Sequence, residues 1–281
     1  MNTMQRTVGD VLREWRQRRR LSQLDLASEA EISARHLSFV ETGRANPSRE
    51  LLLHLADQLD VPLRERNALL LAGGYAPVYA QRSLDDPSLT AAREAVTLIL
   101  RCHEPNPALA IDRHWNLIAM NRTVEALLVG AATSLLEPPV NVLRLSMHPD
   151  GLASRIVNIN EFGAYLSERL RHEIGVSGDP VLADLLVEIG RYRAGPGRTP
   201  ETLTSSMGGI AIPFQLRAAD GSGAVLSFFS TTTVFGTATD VTLSELAIES
   251  FFPADPSTAE AVRRLAACAN ETNSRETTGN G

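Results

Sequence analysis

Residues 22 to 43, SQLDLASEAEISARHLSFVETG, decide the fold of the first part of this chain. The stretch contains two short helical patterns separated by a tight turn. Ser22 and Ser33 are residue types that cap helix N-termini, and Gly43 is the type that ends a helix. The second pattern keeps its apolar residues on one face, so its opposite face is free to meet a partner. An amphipathic helix that is held in place by a short partner helix has the shape that enters the major groove of DNA.

The flanking sequence predicts three more short helices and so completes an all-α domain over residues 1–74. One helix precedes the opening stretch and two follow it, the last of them ending near Gly73 and Gly74. The same pattern would also suit an ordinary helical hairpin in a core with no nucleic-acid partner. The apolar residues that define the three helices are Val8, Val11, Leu12 and Trp15, then Leu51, Leu52, Leu55 and Leu59, then Leu63 and Leu69 to Leu71.

Over about residues 8 to 72 the chain resembles the Cro/repressor-like (XRE) helix-turn-helix family. Members of that family often have Gly in the turn between the two helices, where this chain has Glu31. We therefore expect a mildly strained turn at that position. The motifs that carry the resemblance are Leu21-Ser22-Gln23, Leu26-Ala27, Ile32-Ser33, Leu37-Ser38 and Glu41-Thr42-Gly43.

The resemblance implies a DNA-binding face and assigns residues to it. The family's phosphate-contacting Gln falls on Gln23, and its base-reading positions fall on Ala34, Arg35 and Phe39. Arg35 can read guanine through a bidentate contact, and Phe39 can meet a thymine methyl group. The complete predicted face consists of Gln23, Ser33, Ala34, Arg35, His36, Ser38, Phe39 and Arg44.

The charge of the chain is divided unevenly. All 27 basic residues are arginine; residues 1–75 hold 11 of them against 10 acidic residues, a net of +1. Residues 76–281 hold 16 arginines against 23 acidic residues, a net of −7, so the whole chain has a net charge of −6. A net of +1 predicts modest DNA affinity for one copy and therefore a homodimer on a two-fold site. The arginines that suit phosphate contacts, or alternatively a solvated helix face, are Arg16, Arg18, Arg19, Arg20, Arg44 and Arg49.

Length and composition limit the remaining possibilities. The 281 residues give room for about two domains, and no run approaches the ~18 apolar residues of a membrane span. The N-terminus has no hydrophobic signal region, so we expect a cytoplasmic protein. Cys102 and Cys268 lack the spacing of a metal site and are expected to be free thiols.

The second part of the chain predicts a different architecture. Prolines and paired aspartates in residues 75–90 indicate a linker, followed by a domain over residues 91–268. Two strands joined by a charged turn precede Asn121, which is expected to cap a helix. Helices are expected at Val142 to Ser146, Leu152 to Ile174 and Val181 to Tyr192. Strands are expected at Ile210 to Leu216 and at Val225 to Phe235. Residues 241 to 252 suit either a strand or a helix, and a strand is the favoured interpretation.

These elements predict an α+β domain, an antiparallel sheet with helices on one face. Its opening strand–turn–strand–helix order resembles that of a PAS domain. The polar composition of residues 269–281 predicts a disordered tail.

The whole second domain resembles the MmyB-like ligand-binding domain, through PALAIDRHWNLIAMN, PPVNVLRLSMHP and STTTVFGTATDVTLSELAIESFFPAD. The resemblance implies a PAS-like fold and a small apolar ligand, a fatty acid being known for a relative. Arg144 is expected to pair with an anionic head group. The candidate ligand-binding residues are Trp115, Asn141, Arg144, His148, Phe162 and Phe228. Taken singly, each of these aromatics is more simply explained as plain core, and only the set indicates a pocket.

An enzyme, a metal site and a bound cofactor have no support in the sequence. The histidines are scattered, no phosphate-binding loop is complete, and His114, a conceivable haem ligand, reads as a turn residue. The sequence thus predicts a homodimeric regulator that binds operator DNA and responds to a fatty-acid-like or aromatic ligand. In the alternative, the second domain only dimerises or docks a partner protein.

Overall fold

The computed structural model describes residues 6–193 and 213–278. No helix within these ranges is long and apolar enough to cross a membrane. The chain divides into two compact units. The first comprises residues up to Ser83 with Gly175–Gly178 and Thr237–Ser244, and the second comprises Leu84–Ile174, Asp179–Gly236 and the residues from Glu245 onwards.

Five helices form the body of the first unit, which confirms the predicted all-α domain. The N-cap side chains of Thr7, Ser22, Ser33 and Ser48 each accept a hydrogen bond from the backbone N–H three residues later. Leucines from four of the helices meet in one core with no solvent exposure. The helices are α1 (Val8–Arg18), α2 (Gln23–Glu29), α3 (Ala34–Glu41), α4 (Arg49–Gln58) and α5 (Leu63–Ala72).

All five helices end in the same way. After each C-cap, one residue adopts a left-handed conformation, and the next N–H returns to a carbonyl of the last turn, which is the Schellman motif. At the end of α2, Glu31 has φ of +51°, and Ile32 N–H donates to Ala27 O at 2.9 Å. The strain expected at Glu31 is therefore confirmed, since left-handed backbone costs a non-glycine residue about 1–2 kcal/mol. The other left-handed residues are Arg20, Gly43, Asp60 and Gly74.

Helix α1 lies unusually close to the end of α3. A Cβ atom on Gly9 would lie 2.6 Å from the carbonyl oxygens of both Val40 and Glu41, so only glycine fits. This contact fixes the C-terminal end of the helix that carries the predicted DNA face.

The chain after α5 remains attached to the first unit. Tyr75 donates from its hydroxyl to Pro47 O at 2.9 Å, and Asn67 Oδ1 accepts from the backbone N–H groups of Val78 and Tyr79. The first residues of the predicted linker thus follow the surface of α5.

An antiparallel five-stranded sheet forms the centre of the second unit, with strand order β2-β1-β5-β4-β3. Two early and three late strands agree with the prediction, although Ile210 and Ile212 lie outside the described residues. The longest pairing joins β4 to β5, from Phe228 opposite Pro253 to Val234 opposite Ala247. The strands are β1 (Ala108–Ile111), β2 (Leu117–Met120), β3 (Phe214–Arg217), β4 (Val225–Val234) and β5 (Ala247–Pro253).

Helices cover this sheet unequally. One face packs against most of the helices, and Leu109 and Ile111 of β1 point into that core. Ala108 and Ala110, on the opposite face, pack against α6. The α+β architecture is confirmed, with α6 as an addition on the second face. The helices of this unit are α6 (Thr90–Cys102), α7 (Arg122–Leu127), α8 (Val142–Met147), α9 (Ile159–Ser177), α10 (Pro180–Arg193) and α12 (Pro256–Thr278). The short helix α11 (Val241–Ser244) belongs to the first unit.

Three segments differ from the sequence prediction. Residues 241–244 are helical, since Asp240 Oδ1 accepts from Thr242 N–H and starts a turn, and the strand begins only at Ala247. The helix expected from Leu152 begins at Ile159, because Ile156 first pairs with Leu216.

Helix α12 continues to Thr278, whereas composition predicted disorder from residue 269. No Gly or Pro interrupts the chain between Pro256 and Gly279, so nothing in this part stops the helix once Asp255 has capped it. Residues 279–281 lie outside the described residues.

Candidate functional site

The predicted DNA face lies on and around α3. Leu37 and Val40 are fully buried against the core and fix the inner side of the helix. Arg35 and His36 are exposed, as the outward orientation requires. Ala34, Ser38 and Phe39 are half-buried, Ser33 and Arg44 are exposed at the two ends, and Gln23 lies at the start of α2.

Arg35 and Phe39, one helical turn apart, contact each other. The Arg35 guanidinium carbon lies 5.3 Å from the centre of the Phe39 ring, a cation–π distance. Ser33 accepts from His36 N–H at 3.1 Å and orients the first turn of the helix. The contact with Phe39 restricts the Arg35 side chain, which lowers the entropy cost of any further contact that its guanidinium makes.

A buried ion pair fixes α3 against α1. Glu41, whose side chain has no solvent exposure, accepts from Arg16 Nε at 2.6 Å and from Arg16 Nη2 at 2.8 Å. Gln23 donates its amide to the same carboxylate at 2.8 Å. Burial alone would raise the pKa of Glu41, but the hydrogen bonds from Arg16 and Gln23 and the nearby arginine charges outweigh it and lower that pKa.

The arginine cluster at the end of α1 is mostly structural. Arg16 is committed to Glu41, which corrects the expectation that it suits a phosphate contact. Arg19 donates to the carbonyl oxygens of Leu59 and Asp60, and its guanidinium stacks on Trp15. The arginines of the first unit that are largely exposed are Arg6, Arg20, Arg35, Arg44, Arg49 and Arg82.

The second unit encloses a cavity of about 90 Å³ between the inner face of the sheet and helices α7 to α9. Its wall is predominantly apolar. The lining residues are Pro107, Leu109, Trp115, Leu117, Val124, Leu127, Leu128, Val142, Leu143, Leu145, Ser146, Leu152, Phe162, Tyr165, Leu166, Arg169, Phe214, Leu216, Phe228, Ser230, Glu249 and Phe251.

Four phenylalanines form one wall of this cavity. Phe214 is central: its ring centre lies 4.9 Å from that of Phe162, 5.9 Å from Phe251 and 6.3 Å from Phe228. Such spacings allow favourable ring–ring contacts and a continuous aromatic surface.

A charged group borders the cavity beside Trp115 and forms its charged end. Arg169 Nη2 is 2.6 Å from Glu249 Oε1, and its guanidinium carbon is 4.4 Å from the centre of the Trp115 ring. Trp115 Nε1 donates to Glu173 Oε2 at 2.8 Å, and Thr232 donates to Glu249 at 2.9 Å. Burial opposes the charged form of Arg169, but the bonds and charges of Glu249 and Glu173 outweigh it and raise the pKa of Arg169.

The structure brings three of the six predicted ligand residues together. Trp115, Phe162 and Phe228 line the cavity, and Asn141, Arg144 and His148 are not among its lining residues. Arg144 forms a bidentate pair with Glu188, at 2.7 and 2.9 Å.

The other two residues of this group stabilise local structure. Asn141 caps α8 by accepting from Arg144 N–H and donates to His114 O. His148 Nδ1 accepts from Asp150 N–H.

Sequence reasoning missed Arg169 and Glu249. A signal for Glu249 was present, because a lone acid on the inward-facing side of the apolar strand AIESFF needs a buried partner. Its partner lies 80 residues away on α9, and only the tertiary fold shows which arginine it is.

His114, the conceivable haem ligand, forms part of an ionic cluster instead. Its Nε2 lies 2.9 Å from Asp179 Oδ2, and Arg113 Nη2 lies 3.0 Å from the same oxygen. Among the residues that the structure describes, no three His, Cys, Asp or Glu side chains are arranged to hold a metal ion.

Two family profiles match this chain. Residues 92–265 match the MmyB-like transcription regulator ligand binding domain, and residues 7–69 match a helix-turn-helix domain. None of the curated proteins compared with the chain matches it. A solved chain described as "Structure of an RNA-binding Light-Oxygen-Voltage Receptor" aligns at 14% identity over 93% of this chain and 63% of that chain. Its TM-score is 0.27, too low to support an argument.

Proposed function

The chain belongs to the family of the MmyB-like transcription regulator ligand binding domain, and on this premise we propose that a small, mostly apolar molecule in the cavity sets its affinity for operator DNA. The helix-turn-helix domain provides the DNA-binding part and the second unit the ligand-binding part. We propose further that two copies act together on a two-fold site, because residues 1–75 of one copy carry a net charge of only +1.

The cavity is the observation that carries this proposal. Protein interiors are close-packed, and voids larger than a water molecule are few. A water needs about 10–15 Å³ measured in this way, so about 90 Å³ is several times larger than one water site. Because the wall is almost entirely apolar, the space favours an apolar occupant over ordered water.

The cavity volume favours a compact aromatic ligand over a fatty acid. An engineered cavity of about 150 Å³ binds benzene, and pockets for drug-sized ligands start at about 300 Å³. The described cavity of about 90 Å³ is closer to the first. A compact aromatic molecule therefore needs only small side-chain shifts, whereas a fatty-acid chain needs the wall to open widely. The alternative, a unit that only dimerises or docks a protein, leaves this cavity without a role.

The proposal is tested by measuring operator affinity in the presence of cavity probes. Operator fragments would be selected with the purified full-length protein, and their dissociation constants measured with and without toluene or decanoate. A probe that raises the melting temperature should change operator affinity by about 5- to 150-fold. A probe that binds without changing operator affinity would contradict ligand control, and a dimer that binds no probe would favour the docking alternative.

Replacing Arg35 by Ala is expected to weaken operator binding by about 1–3 kcal/mol and to relax the preference at one base pair. The reason is that Arg35 is exposed, restricted by Phe39 and able to contact guanine with two donors. Affinity would be measured on the selected operator and on variants at each base pair.

Gln23→Ala is the matched comparison on the neighbouring helix. A phosphate contact carries no base information, so this variant should weaken binding to all sequences alike. Its melting temperature needs separate measurement, because Gln23 also donates to Glu41. If Arg35→Ala leaves affinity and base preference unchanged, the assigned recognition face is wrong.

A further inference from the structure

The charged end of the cavity has unused hydrogen-bonding capacity of both kinds. Glu249 Oε1 accepts from Arg169 and from Thr232, and Oε2 accepts from no described residue. Arg169 donates through Nε to Glu173 and through Nη2 to Glu249, and Nη1 donates to no described residue. Every fully buried side-chain nitrogen or oxygen in the described chain has a partner, so these two atoms, which have none, each keep some accessible surface. Both residues border the cavity.

The guanidinium of Arg169 is already paired with carboxylates at this end. Arg169 is the cation of the cavity wall and Glu249 is its anion, while Glu173 places a second carboxylate 3.2 Å from Arg169 Nε. The group as a whole has one positive and two negative charges.

A charged ligand group therefore meets an obstacle whatever its sign. A carboxylate that accepts from Arg169 Nη1 comes next to the carboxylates of Glu249 and Glu173, which repel it. Displacing Glu249 instead would leave that side chain, which is 6% exposed, without its counter-charge. An ammonium group that approaches Glu249 comes next to the guanidinium of Arg169 and gives up its water in a cavity whose wall is otherwise apolar. A neutral group leaves the ion pair intact.

Building on the proposed function, we infer that this end of the cavity binds a neutral group that both donates and accepts a hydrogen bond, such as a carboxamide or a hydroxyl. The donor of the ligand meets Glu249 Oε2, and its acceptor meets Arg169 Nη1. The apolar body of the ligand lies against Phe162, Phe214 and Phe228. This differs from the fatty-acid-like class, whose carboxylate has no free cation to pair with at this end of the cavity.

The inference is tested with five benzene derivatives that differ in one substituent: benzamide, benzyl alcohol, benzoate, benzylammonium and toluene. The chain has two tryptophans, Trp15 in the first unit and Trp115 on the cavity wall. In the full-length protein labelled with nitrogen-15, the indole signal of Trp115 reports binding, and that of Trp15 is the internal control. Benzamide and benzyl alcohol should bind at least about tenfold more tightly than benzoate and benzylammonium.

A charge-removing variant tests the cause of this ranking. Glu249→Gln leaves Arg169 without its anion in the wall, so benzoate should bind about tenfold more tightly than to the wild type and overtake benzamide. A merely structural role of Glu249 would not reverse the ranking. The matched control is Glu188→Gln, since Glu188 pairs with Arg144 outside the cavity lining and its removal should leave the ranking unchanged.

The outcomes separate this inference from the proposed function. If benzoate binds the wild type as tightly as benzamide, the inference is overturned and ligand binding stands. If none of the five probes, toluene included, moves the Trp115 signal, the cavity binds no small ligand and both proposals fall. If Glu249→Gln does not fold, the relative affinities of the five probes for the wild type decide whether the inference stands.

Discussion

Glu41→Gln is expected to lower the free energy of unfolding of the first unit by about 3–5 kcal/mol. The side chain of Glu41 has no exposure, and its carboxylate accepts three hydrogen bonds from Arg16 and Gln23. Glutamine keeps the shape but removes the charge, so the buried Arg16 guanidinium loses its counter-charge and one of its donors faces the new amide NH₂ group. Urea unfolding, followed by the indole signal of Trp15, measures the loss.

Glu29→Gln is the control for this variant. Glu29 is exposed near the end of α2, and surface substitutions of this kind change stability by no more than about 0.5 kcal/mol. Equal losses in the two variants would mean that the ion pair does not carry the stability of the unit.

The same ion pair makes the first unit sensitive to acid. The pKa of Glu41 is lower in the folded state than its ordinary value, so its contribution is present above the unfolded pKa of about 4.3 and is lost as the pH falls through the folded pKa. Wild-type stability should therefore decrease more steeply than that of Glu41→Gln when the pH is taken from about 5 to about 2. Parallel curves for the two proteins would contradict this assignment.

The sequence was informative where local chemistry decides the structure. Ser22 and Ser33 begin helices because their side-chain oxygens cap the first turn, and a serine before an apolar helical pattern can be recognised in the sequence. The strain at Glu31 was visible for the same reason, because the turn needs a left-handed residue and the chain provides no glycine there.

The sequence was misleading where the decision depends on distant partners. Arg16 and Arg35 are equivalent in a charge count, yet one is buried on Glu41 and the other exposed on α3. Arg144 and Arg169 differ in the same way. The first pairs with Glu188 away from the cavity lining, and the second enters the cavity wall because Glu249 of β5 lies opposite it. Such pairings follow from sheet register and helix placement, which no single segment encodes.

Phe228→Ala is expected to destabilise the second unit by about 3–5 kcal/mol, an effect similar in size to that of Glu41→Gln. Phe228 is fully buried on the inner face of β4, next to Phe214 and Phe251, and it lines the cavity. Removing its ring deletes the buried apolar contacts and enlarges the cavity that Phe228 lines. The Trp115 indole signal in urea unfolding measures the loss.

Phe229 provides the matched control, because it is the next residue and points to the opposite face of the same strand. Its side chain is 39% exposed and stacks on Phe252 at 5.3 Å. Phe229→Ala should therefore cost no more than about 1.5 kcal/mol.

Toluene at saturating concentration should restore part of the stability of Phe228→Ala, since an apolar molecule that occupies the enlarged space binds only the folded state. Equal losses at both positions, with no recovery in toluene, would show that the aromatic wall encloses no binding space.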